Sequence, residues 1–165
     1  MVKAIVYTSE TGHTRQYAEL LGRETGLPVY DLKETGKLSR GSEIIYLGWL
    51  CAGTVKGYKK AEKRFCVQAV CGVGMSGGDS QLADIRKVNR IEQETPVFYL
   101  QGGFELEKLR GINRLMMSVM KKSVGKGLSE KKDRTFEEDA MLELMLHGGN
   151  LVKKENLQGM LEWLK

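Results

Sequence analysis

"IVYTSETGHTRQYAELL", residues 5 to 21, joins a short apolar run to a helical pattern through a loop built largely of hydroxyl residues and glycine. Ile5, Val6 and Tyr7 read as the end of a buried strand. Tyr17, Ala18 and Leu21 recur at the spacing of one helix face, with the helix starting near Thr14. A strand that enters a helix through such a turn leaves free backbone N–H groups at the carboxyl end of a sheet, and such a turn can hold an anion. The loop from Thr8 to Thr14 has no Lys or Arg, so binding there rests on donors rather than on formal charge. A helix-end field contributes about 0.3 to 1 kcal/mol, whereas each hydrogen bond to a charged acceptor contributes about 1.5 to 3 kcal/mol. If Ser9 or Thr11 only capped the helix, one hydroxyl would be explained and the others, with Gly12, would not.

The rest of the chain repeats this alternation. "EIIYLGW" (43 to 49), "FCVQAVCGV" (65 to 73) and "TPVFYL" (95 to 100) are continuously apolar, the pattern of parallel strands covered on both faces. "PVYDL" (28 to 32) is shorter and more polar, and its leading Pro28 suits a sheet edge. A helical pattern runs from Ser80 to about Ile91, with Leu82, Ile85 and Val88 on one face. The connection from 33 to 43 has room for one turn of helix or none. The expectation is an α/β domain spanning 1–165, a doubly wound parallel sheet flanked by helices. Residues 104–150 are surplus to that scheme and read as a helical insertion before the last helix. Within it Leu109, Ile112, Met116 and Val119 mark one helix, "SVGKGLSEKKDR" (123 to 134) reads as a polar loop, and Thr135 with Glu138 forms a capping-box pattern. "KENLQGMLEWLK" (154 to 165) closes the chain as a helix.

Composition removes several alternatives. With 165 residues and 41% apolar content a core is affordable without disulfides or metal. Cys51, Cys66 and Cys71 have no CxxC spacing, which argues against zinc and redox pairs and for reduced thiols in the cytoplasm. The amino-terminal apolar run is too short for a signal peptide, and no stretch reaches the length of a membrane span. A net charge of +5 without a basic run of five or an aromatic-basic motif leaves nucleic acid a weak candidate.

The opening stretch resembles the flavodoxin signature: an aromatic after two apolar residues (Ile5, Val6, Tyr7), then Ser9, Gly12, Thr14, Ala18 and Leu21 at the family's spacing. This resemblance implies a flavodoxin-like five-stranded sheet in the order 2-1-3-4-5 and FMN as cofactor. It also implies that Ser9, Glu10, Thr11, Gly12, His13 and Thr14 wrap the FMN phosphate. His13 has two readings, a ring in solvent or a charged neighbour of the phosphate.

Ligands of open α/β sheets sit outside the carboxyl ends of the strands, so the ring is expected between two later loops. In "GWLCAGTVKGYKKA" (48 to 61), Trp49, Leu50, Thr54 and Val55 are candidate contacts, with core burial an equal option for Trp49. A peptide in this region of flavodoxins turns toward the flavin, and by resemblance Gly53 and Gly57 are candidates. In "CGVGMSGGD" (71 to 79), Gly72, Val73, Gly74 and Met75 would give main-chain contacts to the ring's polar edge, with Gln101 and Gly102 at the rim. Gly72, Gly74 and Gly77 also form a GxGxxG. The dinucleotide reading fails because no acid ends the next strand, which continues as "FYLQGG".

Flavodoxins are typically acidic. This chain instead carries Lys56, Lys59, Lys60, Lys63 and Arg64 beyond the expected ring loop. "GINRLMMSVMKKSVGKG" (111 to 127) resembles, more loosely, the menaquinone-dependent protoporphyrinogen oxidase branch of the superfamily. Met116, Met117 and Met120 beside Arg114, Lys121 and Lys122 could face a quinone, porphyrin carboxylates or anionic lipid; the alternative is an ordinary helix with its methionines in the core. The functional expectation is an electron-transfer flavoprotein with redox partner proteins and no catalytic side chain. The alternatives are an FMN-dependent oxidoreductase acting on a quinone or porphyrin, with peripheral membrane contact, and a scaffold that has lost its flavin. The intact hydroxyl set argues against the last.

Overall fold

A computed structural model describes residues 1–76 and 81–165. Its central sheet contains β1 (Ala4–Thr8), β2 (Val29–Asp31), β3 (Glu43–Cys51), β4 (Thr54–Val55), β5 (Cys66–Gly74) and β6 (Val97–Gln101). The order is β2-β1-β3-β5-β6, all parallel, with β4 antiparallel on β3. Thr8 pairs with Gly48, Gly48 with Gly72 and Gly72 with Tyr99, so the loops after four strands begin along one edge.

Among the described residues six helices accompany the sheet: α1 (His13–Thr25), α2 (Tyr58–Glu62), α3 (Leu82–Asn89), α4 (Gly111–Glu130), α5 (Phe136–His147) and α6 (Gln158–Trp163). Because side chains alternate along a strand, β1 sends Ile5 and Tyr7 to one face and Ala4 and Val6 to the other. The first pair packs with Tyr17, Ala18 and Leu21 of α1 and Met160 of α6. The second packs with Tyr58 and Ala61 of α2 and Ile85 of α3. Burial on both faces is the reason these strands are continuously apolar. Pro28 precedes the edge strand β2, where a missing N–H costs no ladder bond.

Among the described residues the sheet has six strands where five were expected. The addition is β4, and it renumbers the strands after it, so the order reads β2-β1-β3-β5-β6 rather than 2-1-3-4-5. Ala52 (φ 49°) and Gly53 (φ 76°) make a two-residue turn with both central residues left-handed, the geometry that folds one strand directly back on another. Helix α2 occupies residues read as loop. In α3 the expected face is wrong at its end: Val88 is exposed and Asn89 is buried. Asn89 is drawn inward by polar groups, as set out below. The 33 to 43 connection holds a single 3-10 turn, Leu32–Glu34. Gly77 of the GxGxxG pattern and Ser80, the expected start of the second helical pattern, lie outside the described residues.

The insertion is closed at its base by a two-stranded antiparallel pair, β7 (Gly103–Phe104) with β8 (Gly149–Asn150). Helix α4 is longer than expected and runs through the supposed polar loop as far as Glu130. Arg134 supplies the missing stop signal, donating from its guanidinium to the carbonyls of Leu128 and Lys131. The capping box is formed, with Glu138 N–H donating to Thr135 Oγ1 and Thr135 N–H to Glu138 Oε2. The buried face of α4 is the opposite of the expected one. Met117 is inside with Phe104, Leu109 and Leu144, whereas Ile112, Leu115, Met116 and Val119 face outward at 71%, 65%, 40% and 59% exposure. Among the described residues no helix is long and apolar enough to cross a membrane.

Candidate functional site

The first loop leaves β1 at Thr8, whose hydroxyl donates to Tyr46 Oη at 2.7 Å; that phenol in turn donates to the Lys56 carbonyl. Burial pushes the Tyr46 pKa well up, keeping this link neutral. Gly57 makes the close approach feasible, since a Cβ there would lie 2.1 Å from Tyr46 Oη and 2.4 Å from Thr8 Oγ1. Gly12 turns the chain into α1 with φ 101° and donates its N–H to Ser9 Oγ at 3.1 Å. The first helical bond is Gln16 N–H to Gly12 O. Among the described residues no side chain caps α1 and no acid stands in its first turn. Among the described residues the amides of His13, Thr14 and Arg15 have no protein acceptor. Thr14 is buried, and among the described residues its hydroxyl has no hydrogen-bond partner.

His13 is not a solvent-facing loop residue. Its ring is 5% exposed and packs against Gly102 and Gly103, the glycines after β6. Nδ1 lies 2.9 Å from Thr11 Oγ1, and Nε2 lies 2.7 Å from Glu105 Oε2 at the base of the insertion. Nε2 and Oε2 are both buried without an in-line hydrogen-bond partner, so proximity rather than an aligned bond joins them. Lys108 Nζ holds the other carboxylate oxygen at 2.8 Å. Burial pushes the His13 pKa down, and the Glu105 carboxylate only partly reverses it. Burial acts to raise the Glu105 pKa but is outweighed by Lys108 and His13, which hold it below the usual carboxylate range. At neutral pH the pair is thus a neutral imidazole beside a carboxylate.

Beside this chain lies a cavity of about 50 Å³ lined by Glu10, Thr11, His13, Thr14, Trp49, Leu50, Val73, Gly74, Met75 and Gly102 of the expected set. Trp49 is half-buried on its wall, with Lys56 Nζ 5.5 Å from the ring centroid. Tyr99 donates to the Ser76 carbonyl at 2.6 Å, and Gln101 Nε2 donates to Met75 O at 3.1 Å; together they fix the loop after β5. Tyr99, chiefly through burial, has its pKa pushed up to about 12. Gly72 sits under the Leu50 side chain.

The remaining members of the 48 to 61 loop stand elsewhere. Val55 is packed in the core with Ala61 and Ile85 rather than on the cavity, and Thr54 is exposed. The Gly53 carbonyl accepts from Asn89 Nδ2 at 2.8 Å, and the Val55 N–H donates to Asn89 Oδ1 at 2.9 Å. This clamp fixes the Gly53 peptide, and Gly53 does not line the cavity. Gly57 serves the Thr8–Tyr46 contact instead.

Sequence reasoning missed Gly103, Phe104, Glu105, Leu109 and Met117, which close the cavity from the insertion side. Only the double glycine after Gln101 hinted at a close neighbour. The donor set at α1 suits a phosphate, with unpartnered amides, hydroxyls and no acid in the helix's first turn, although Glu10 and Glu105 also line the cavity. The ring end is tight, because small-molecule sites typically measure roughly 300 to 1,000 Å³; a flavin ring needs Met75, Leu109 and Met117 to give way. Among the described residues no cluster of His, Cys, Asp and Glu could hold a metal ion. No protein-family model, curated protein or solved structure matches the chain.

Proposed function

We propose that this chain is a flavodoxin-like protein that binds FMN and transfers electrons through it. The observation that carries the reading is the amino terminus of α1. Its free amides and the Thr14 hydroxyl stand at the carboxyl edge of a parallel sheet, beside a cavity walled by Trp49, Leu50, Val73 and Met75. Bound FMN would supply one- and two-electron redox chemistry. The protein's share is to bind and shield: Ser9 shapes the turn, Thr11 and Thr14 offer hydroxyls, and Trp49 with Leu50 excludes water. No side-chain acid, base or nucleophile is needed. Mixing with FMN, removing free flavin and recording the visible spectrum tests this directly. A retained flavin band with FMN and a weaker one with riboflavin, which lacks the phosphate, is the expected result; equal retention or none rejects the reading.

A second reading, an FMN-dependent oxidoreductase acting on a quinone or protoporphyrinogen at a membrane surface, is favoured by one observation. The outward row of Ile112, Leu115, Met116 and Val119 on α4 is flanked by exposed Arg110, Arg114 and Lys122. An apolar stripe with basic flanks suits anionic lipid. Oxidation of protoporphyrinogen with a menaquinone analogue, together with flotation on anionic vesicles, supports this reading; exchange of electrons with protein donors alone supports the first.

A further inference from the structure

We propose that the Thr11–His13–Glu105 chain couples anion binding at the first loop to the uptake of one proton by His13. The inference deepens the FMN reading but rests on the loop's geometry, which any tetrahedral dianion would meet. Its starting point is the hydroxyl of Thr11, which has one proton to give. Nε2 lies 2.7 Å from Glu105 Oε2, and even out of line an unprotonated Nε2 would set its lone-pair charge against the carboxylate, whereas an N–H there is attracted to it. The neutral imidazole therefore carries its proton on Nε2, and Nδ1 accepts the Thr11 proton at 2.9 Å. In that state Thr11 has nothing left to donate to a ligand at α1.

Protonation reverses the direction of the link. A proton from solvent on Nδ1 makes that nitrogen donate to Thr11 Oγ1, and the hydroxyl proton swings free toward the anion. Proton count balances: one enters from solvent, one is redirected, none is released. The same proton gives His13 a charge between the bound dianion and the Glu105 carboxylate, where each favours it. The titratable and charged groups facing His13 are Glu105 and Lys108, with Glu10 exposed on the cavity rim. Lys108 is engaged by Glu105 Oε1 at 2.8 Å. His13 acts here as a positioning residue, through Thr11, and its charge also ties the insertion to the loop.

The experiment is calorimetric titration of the full chain at pH 7.5 in two buffers of different ionisation enthalpy. The probes are FMN and, separately, sulfate, which stays a dianion across the range used. His13→Gln is the comparison. The expected result is net uptake of up to one proton per ligand, with affinity rising by up to about tenfold per pH unit on lowering pH from 8 toward 6.5. Both effects vanish in His13→Gln. A measurement on the unmodified residue guards against a misfolded variant: the chain has two histidines, His13 and His147, and comparison with His147→Gln assigns the His13 ring signals that NMR then follows. Its pKa should lie below about 6.5 in free protein and above that value with saturating sulfate. Sulfate binding with proton uptake but no FMN binding supports the coupling and removes the flavin reading. No uptake by the unmodified protein, equal uptake in the variant, or failure to bind either probe overturns the proposal.

Discussion

Replacing Asn89 by Ala tests how the cavity wall is held. Asn89 is 2% exposed, donates to the carbonyls of Gly53 and Ile85 and accepts from the Val55 N–H. Truncation removes its own polar atoms but leaves the Val55 amide, in a residue 2% exposed, without an acceptor. A buried orphan of this kind costs about 1 to 3 kcal/mol. The Gly53 carbonyl is nearer the surface and regains water, adding about 1 kcal/mol, while the Ile85 carbonyl loses one of two acceptor contacts and adds little. The sum is roughly 2 to 4 kcal/mol, a large part of the roughly 5 to 15 kcal/mol that stabilises a domain. With a urea slope of about 2 kcal/mol per molar, the midpoint should fall by about 1 to 2 M at unchanged slope. Because β4 pairs with the end of β3 next to Trp49, and Lys56 N–H donates to the Trp49 carbonyl, FMN affinity should fall as well. A loss below about 0.5 kcal/mol would refute the clamp, since it lies within the range of ordinary surface substitutions.

Three further outcomes follow from particular contacts. Gly57→Ala places a Cβ 2.1 Å from Tyr46 Oη at φ +82° and should cost at least about 2 kcal/mol in urea unfolding, with weaker FMN binding because Thr8 shifts. Met117→Ala should lower stability by about 2 to 3 kcal/mol yet tighten FMN, because it opens the cavity on the insertion side; looser binding contradicts the tight-ring reading. For pH, the native His13 pKa is depressed, so the unfolded chain binds a proton that the native state refuses. Stability is fully present above about 6.5 and falls as pH drops below it, and the urea midpoint of His13→Gln should decline less between pH 7.5 and 5.5.

The sheet was legible because parallel strands buried on both faces leave long apolar runs, and β1, β3, β5 and β6 are such runs. β4 was not, since a two-residue strand carries no periodicity and Ala52 is an unusual residue for a left-handed turn position. The face of α4 was misread for a related reason. Ile112, Met116 and Val119 have the spacing of a core face, yet the helix buries Met117, and the packing partners that decide between them, Phe104 and Leu144, are distant in sequence. The first loop could be read because hydroxyls, glycine and helix start are contiguous. The His13–Glu105 contact joins residues 92 positions apart and depends on the β7–β8 pairing at the insertion's base, which no local pattern announces.

The central claim is that amides and hydroxyls of the first turn hold a phosphate and thereby FMN. It is tested most directly by fluorescence titration of FMN against the unmodified chain and the Ser9→Ala, Thr11→Ala, Thr14→Ala triple variant, with circular dichroism to establish equal folding. Loss of two hydroxyl bonds to a dianion, at about 1.5 kcal/mol each or more, predicts affinity at least about 100-fold weaker. A folded triple variant that binds FMN as tightly as the parent would contradict the account.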